Sequence, residues 1–442
     1  MSSPDAVPHV AAAAAMWGRR CRGVLVLTLS LAVTCTVAAQ AQVVASQCPS
    51  RPEGRQLARG WYLTPHTAAT QSAGRLLLGW PYLHWRGGIA DVTKPDTNGV
   101  GLIVHPRGRP TVIQQPVLGH LFDSPKVGVI DPHAVDVIFS ATRVRPILGE
   151  IMDTLIMWGG RLVDGRWQDV AEITRLSPDA IDRNQIVGDG TRHRGEVVAA
   201  AISWPDRELG GEVVLIRGNA KSWRVQRTHP SLFATSYADL LSFRDTLWLA
   251  VTAARLDNAM PRTFGLWLMY EGAAGWSNPR LIAVGDGMVM REPRLLGTTS
   301  GLLASWIDGE AESTRLLWRA TAVEGPSPLQ QRPIERTATR GLEAWQHLIG
   351  TAVNDSTGQV LELSASGSRV VAEFPTVQGF APLVFGDGKR PVGIVPGAAN
   401  ALVPIPVWLV EHDLRCVMVP SGLALKRNGR ASLLDARSDS PP

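Results

Sequence analysis

Tyr237, Asp239, Arg291 and Glu292 stand where apolar runs of this chain begin, and Arg143, Trp204, Asp206, Asp257 and Asp308 stand where such runs end. Each type has a use at a polar ligand. Guanidinium forks grip carboxylates, carboxylates take hydroxyl protons, and indole faces stack on the apolar faces of sugars. Brought to one place, the set suits a sugar or another acidic ligand. A pair of carboxylates about 5–10 Å apart serves glycoside hydrolysis; Asp239 with Glu292 could meet that, as could other pairs. Taken singly, each of these residues is more often a solvated rim residue or a tie between neighbouring sheets.

Other chemistries find less support. The chain has no Gly-x-Ser-x-Gly, no His-Glu-x-x-His and no phosphate loop. Asp131, His133 and Asp136 are metal-ligand types without a recognised spacing, and a solvated turn is the plainer expectation. No cofactor and no metal are expected. The formal charge is +5, falling to +3 when residues 1–41, with three Arg and one Asp, are removed. That mild excess gives no basic face for nucleic acid.

The elements that must position these residues are read from repetition. A short apolar strand, a second and more apolar one, a third, a tight turn and a fourth recur along the chain. The clearest copy runs from Tyr237 to Ala283, with second strand Thr246–Thr252 and third strand Thr263–Tyr270. Second strands centre near Leu78, Ile138, Ala200, Leu249, Ala304, Gly350 and Gly393, at spacings of 60, 62, 49, 55, 46 and 43 residues. Four-stranded propeller blades repeat every ~40–50 residues. Both faces of the second strands are apolar, as in sheets packed on both sides. The expected fold is all-β, a six- or seven-bladed β-propeller of four-stranded blades; the competing architecture is one or two β-sandwiches.

The turns Val163-Asp-Gly-Arg-Trp167, Gly218-Asn-Ala-Lys-Ser-Trp223 and Gly272-Ala-Ala-Gly-Trp276 resemble the Asp-box, Ser-x-Asp-x-Gly-x-x-Trp, of sialidase-like propellers. None carries the whole motif. The resemblance implies that these turns are structural, join third to fourth strands, and lie away from the ligand face. It also implies a catalytic Tyr–Glu pair with an Asp acid/base, for which Tyr237, Glu292 and Asp239 are the candidates. Arg143, Arg291, Trp204, Asp206, Asp257 and Asp308 are then candidates for ligand binding. The Arg-Ile-Pro sequence of that family is missing; Val144-Arg-Pro146 is a faint echo that comes too late in the chain.

Arg19, Arg20 and Arg22 precede an apolar run to Val33 and small residues ending Ala39-Gln-Ala41, the order of a secretory signal. The expected divisions are a signal peptide at 1–41, an N-terminal segment at 42–56, a propeller at 57–421 and a disordered tail at 422–442. No stable membrane span is expected in the mature chain, whose place would be secreted, periplasmic or at the cell surface. Cys48 and Cys416 would be the two cysteines left after cleavage, and an oxidising compartment favours a bridge between them. The expected function is a non-catalytic module binding a glycan or an extracellular protein, with a sialidase-like glycoside hydrolase as the alternative.

Overall fold

The computed structural model describes thirty strands and their short adjoining turns between Arg55 and Val417; residues 1–54, 418–442 and the longer connections lie outside the described residues. The chain divides into a compact unit, Gly54–Leu414, and a second made of Met1–Glu53 with Arg415–Pro442. All thirty strands fall in the first unit.

Seven four-stranded antiparallel meanders can be followed among the described residues. After β1 (Arg55–Gly60), the first sheet is β2 (Ala68–Ser72), β3 (Arg75–His84), β4 (Thr97–His105) and β5 (Thr111–Gln114). In the second sheet the first strand is broken in two, β6 (His120–Leu121) and β7 (Lys126–Val129), before β8 (Ala134–Ile147), β9 (Glu150–Val163) and β10 (Arg166–Leu176). The third is β11 (Ile186–His193), β12 (Glu196–Asp206), β13 (Gly210–Asn219) and β14 (Ser222–Arg227). The fourth is β15 (Leu232–Phe243), β16 (Thr246–Arg255), β17 (Thr263–Gly272) and a fourth strand in two pieces, β18 (Gly275–Trp276) and β19 (Arg280–Val284). The third and fourth sheets touch through one ladder pair, Gly211 with Ala234.

The fifth sheet is β20 (Arg291–Thr298), β21 (Gly301–Asp308), β22 (Arg315–Ala320) and β23 (Gln330–Pro333). The sixth is β24 (Glu343–Trp345), β25 (Leu348–Asn354), β26 (Thr357–Ser364) and β27 (Gly367–Pro375). The last is β28 (Leu383–Phe385), β29 (Val392–Gly397) and β30 (Val407–Asp413), and its fourth strand is β1. The first strand among the described residues thus completes the last sheet. Arg55 pairs with Glu411 in register and by a 2.8 Å ion pair. One helical turn, α1 (Leu414–Val417), follows β30.

The core lies between sheets rather than within one. In β12 the even positions Val198, Ala200 and Ile202 pack with Leu240, Leu249 and Trp267 of the fourth sheet. The odd positions Val197, Ala199 and Ala201 pack with Ile138 and Met157 of the second. The fourth sheet repeats the arrangement, turning Ala250, Leu266 and Leu268 toward Leu295, Trp306 and Leu317 of the fifth. The fifth does the same with Leu303, Leu316 and Trp318 against Ile349 and Leu361 of the sixth. This is why second strands are apolar throughout: successive side chains point to opposite faces, and both faces are covered. Each fully buried Val, Leu or Ile contributes about 1.5–3 kcal/mol. A sandwich gives each sheet one inner face; here three consecutive sheets have two, so the fold is a β-propeller.

The second-strand centres expected near Leu78, Ile138, Ala200, Leu249, Ala304, Gly350 and Gly393 all fall in second strands, β3, β8, β12, β16, β21, β25 and β29. The three Asp-box-like turns join third to fourth strands. Their tryptophans are packing residues. Trp223 lies flat against β9, where a Cβ on Gly159 would come within 2.3 Å of the ring.

The first hairpins of the third and fourth sheets close with two-residue loops. Arg194 and Gly195 have φ of 48° and 84°, and Arg244 and Asp245 have φ of 50° and 56°. Two positive φ values in a row make type I′ turns, whose twist matches the flanking strands. The Arg244 guanidinium donates to the carbonyl of Thr299 in the next loop at 2.7 Å.

Candidate functional site

In an antiparallel meander the starts of first strands share one end of the sheet with the ends of second strands. At that end the inner strands of the fourth and fifth sheets lose regularity. The β15–β16 register shifts between Ala234 and Ala238, and Tyr237 lies within the shift. The β20–β21 register shifts between Arg291 and Arg294, where Glu292 adopts a left-handed φ of 49° before Pro293. Such a conformation costs a non-glycine residue about 1–3 kcal/mol. Such irregularities are common at the ends of sheets, and Tyr237 and Glu292 stand within these two.

Tyr237, Glu292 and Arg291 interact. Burial pushes the Tyr237 phenol above its ordinary value, the Glu292 carboxylate adds to that push, and Arg291 works against it. The phenol is therefore held neutral, as a hydrogen-bond donor. Arg291 is half-buried, and its Nε is buried without a hydrogen-bond partner among the described residues.

Asp239 lies two residues further along β15 and is 4% exposed. Its Oδ2 accepts the backbone N–H of Leu295 at 2.7 Å, and its Oδ1 is 3.5 Å from Arg294 Nη1. Both contacts are to β20, so the carboxylate ties the inner strands of two neighbouring sheets together. Asp308 ends β21, one residue beyond the register partner of Arg291, and lies 3.9 Å from Arg315 across the hairpin. Exposed pairs of that kind contribute about 0–1 kcal/mol.

Arg143 is placed in β8 opposite Thr154, and Trp204 and Asp206 end β12, with Asp206 opposite Gly210. The side chains of these three, with Asp257 and Cys48 entire, lie outside the described residues. The structure thus brings Tyr237, Arg291 and Glu292 within electrostatic reach of one another, while Asp239 binds Leu295 and Arg294. Asp136 is 1% exposed and takes both Arg161 donors, at 2.9 and 3.2 Å, as a buried ion pair across β8 and β9. Cys416 is disulfide-bonded, and the other three cysteines lie outside the described residues. No helix among the described residues is long and apolar enough to cross a membrane.

The opposite end of the sheets carries a polar cluster that the sequence does not announce. Arg217, 5% exposed, donates to Glu196 at 2.9 Å, Gln226 at 3.0 Å and Glu271 of the fourth sheet at 2.7 Å. Arg224 also binds Glu196. Burial opposes the charge on Glu196, but the two guanidiniums more than offset this and hold its carboxyl below the ordinary value. Nearby, His193 Nδ1 is 2.9 Å from Ser242 Oγ. These residues are scattered over β11 to β17, so no spacing marks them.

No protein-family model matches the chain, and no curated protein sequence matches it. Solved structures resemble it in fold. A variant of the NanB sialidase from Streptococcus pneumoniae is 10% identical, with a TM-score of 0.42 over 85% of this chain and 73% of that one. An α-L-arabinanase from Penicillium chrysogenum is 13% identical, with a TM-score of 0.44 over 84% of this chain and 100% of that one. An intramolecular trans-sialidase from Ruminococcus gnavus is 8% identical, with a TM-score of 0.40 over 84% and 100%. At these identities and TM-scores the likeness is one of general architecture, without residue correspondence.

Proposed function

We propose that this chain is an exported β-propeller that binds a glycan or an extracellular protein, without catalysis, at the end of the sheets where Tyr237, Arg291 and Glu292 gather. The observation that carries the reading is their convergence at two irregular strand starts. It offers a neutral phenol donor, a guanidinium with an unused buried N–H and a carboxylate within one small region. That set recognises a ligand bearing both hydroxyls and a carboxylate. Arg143, Trp204, Asp206, Asp257 and Asp308 are proposed to extend the surface. Asp239, with its oxygens bound to Leu295 and Arg294, ties the two strands that carry the site.

The test is a glycan array of sialylated, uronic-acid and neutral oligosaccharides, probed with the secreted full chain. Acidic glycans are expected to bind, and Arg291→Met and Tyr237→Phe to weaken them by about tenfold, or 1.4 kcal/mol, each. No binding to any glycan by the wild-type protein would leave only the protein-partner half of the reading.

The second reading is a sialidase-like glycoside hydrolase, favoured by one observation: Tyr237 lies within electrostatic reach of Glu292. Turnover of a fluorogenic sialoside, abolished by Tyr237→Phe, would select it. For Cys416 we propose Cys48 as partner, joining the segments on either side of the propeller after signal removal at about residue 41. A single bridged peptide pair in non-reducing peptide mapping tests that assignment.

A further inference from the structure

We propose that the seam between the third and fourth sheets is an acid-sensitive latch worked by His193, which holds the seam closed when its ring is neutral and loosens it when protonated. His193 ends β11, is 2% exposed, and reaches across the seam to Ser242 of β15 at 2.9 Å. The backbone N–H of Ser242 is 3.4 Å from Thr191 Oγ1, a second and longer link at the same place. The other ring nitrogen, Nε2, is buried without a hydrogen-bond partner among the described residues. A neutral imidazole needs one donor and one acceptor; an imidazolium makes both nitrogens donors and adds a charge.

The groups facing the ring come from every element around it. Ser242 and Asp245 belong to the first hairpin of the fourth sheet and Glu271 to its third strand; Arg194 is on the His193 turn and Arg217 on β13. Glu271 already gives Oε1 to Arg217. Burial lowers the ring's affinity for a proton, Arg194 and Arg217 lower it further, and Glu271 and Asp245 oppose them without prevailing. The unfolded chain therefore takes up the proton more readily than the folded one. The contribution of the latch is complete above the unfolded value of about 6.5 and is lost as pH falls below it. Glu196, held below its ordinary 4.5, titrates in a lower window.

At the next seam the residue in the place of His193 does not titrate, and the Arg244 guanidinium lies 4.9 Å from its ring centre. There Phe243 ends the first strand and lies against Gly297, where a Cβ would come within 2.5 Å of the ring. Acid should act on one seam and spare its neighbour.

The experiment is amide exchange on the intact chain at pH 7.5 and 5.0, with rates corrected for intrinsic chemistry. Peptides covering 191–197 and 241–247 should lose protection on acidification by about threefold more than those covering 295–303, as local opening is read from exchange. His193→Gln should remove that difference, and Ser242→Ala should lower wild-type protection at pH 7.5 toward the acid value. An equal loss in both regions, the same loss in His193→Gln, or a gain in acid would overturn the proposal. A gain would mean that Glu271 captures the charged ring.

Discussion

Where the third sheet meets the fourth, the residue that closes the first hairpin is His193, and it rests on Ser242; where the fourth meets the fifth, the equivalent residue is Phe243, and it rests on Gly297. In both cases a flat ring at a strand end meets the last residue but one of the next inner strand. The backbone arrangement admits either chemistry, provided that ring and seat are chosen together. A polar ring needs a hydroxyl; an apolar ring of similar breadth needs the side chain removed. The third sheet then adds Arg217 bound to Glu271, while the fourth adds Asp239 bound to the Leu295 N–H. Beside the apolar core that both share, one seam has the Arg217–Glu271 ion pair at its hairpin end, and the other has the Phe243–Gly297 contact and the Arg244 bond to the Thr299 carbonyl there, with a carboxylate at mid-strand.

The comparison breaks most sharply at Arg217. Arg217→Ala leaves Glu271 and part of Glu196 without a counter-charge in a poorly solvated place. The expected loss is about 3–5 kcal/mol, read from the urea midpoint at unchanged m-value. A loss below about 1 kcal/mol would show that this seam is held by its apolar residues alone. Asp239→Ala strands the buried Leu295 N–H and should cost about 2–3 kcal/mol. Exchange of the Leu295 amide is the direct readout, and no change there would remove Asp239 from the seam. Gly297→Ala should cost about 1–3 kcal/mol, because the new methyl meets the Phe243 ring. Adding Phe243→Leu should recover much of that loss; if it does not, the clash lies elsewhere.

What the sequence disclosed and what it withheld follow from range. Second strands were readable because being covered on both sides demands an unbroken apolar run, visible in Glu196–Asp206 without knowledge of the neighbours. The turns ending at Trp167, Trp223 and Trp276 were readable because each holds a Gly and closes on a Trp, although the spacing between them varies. Strand β1 was not: Arg-Gln-Leu-Ala-Arg-Gly has no marked alternation, and its partner stands 356 residues away at the Arg55–Glu411 pair. At the candidate site the residue types of Tyr237, Arg291 and Glu292 were legible, but the register shifts in which Tyr237 and Glu292 stand were not. Asp239 shows the other limit. A carboxylate is obvious in a sequence, whereas the backbone N–H that accepts its service carries no signal at all.

The shared last sheet bears on synthesis. Strand β1 leaves the ribosome early and finds its place only when β30 has been made. At ~5–20 residues per second, the 356 residues between Arg55 and Glu411 take about 20–70 s. Through that interval the strand that will complete the last sheet waits unpaired, with edges of the kind on which chains join one another. Arg55 and Arg59 place two like charges on the six-residue segment, which discourages pairing with a second copy of itself. The same charge then serves the finished molecule, where Arg55 takes Glu411 as its partner.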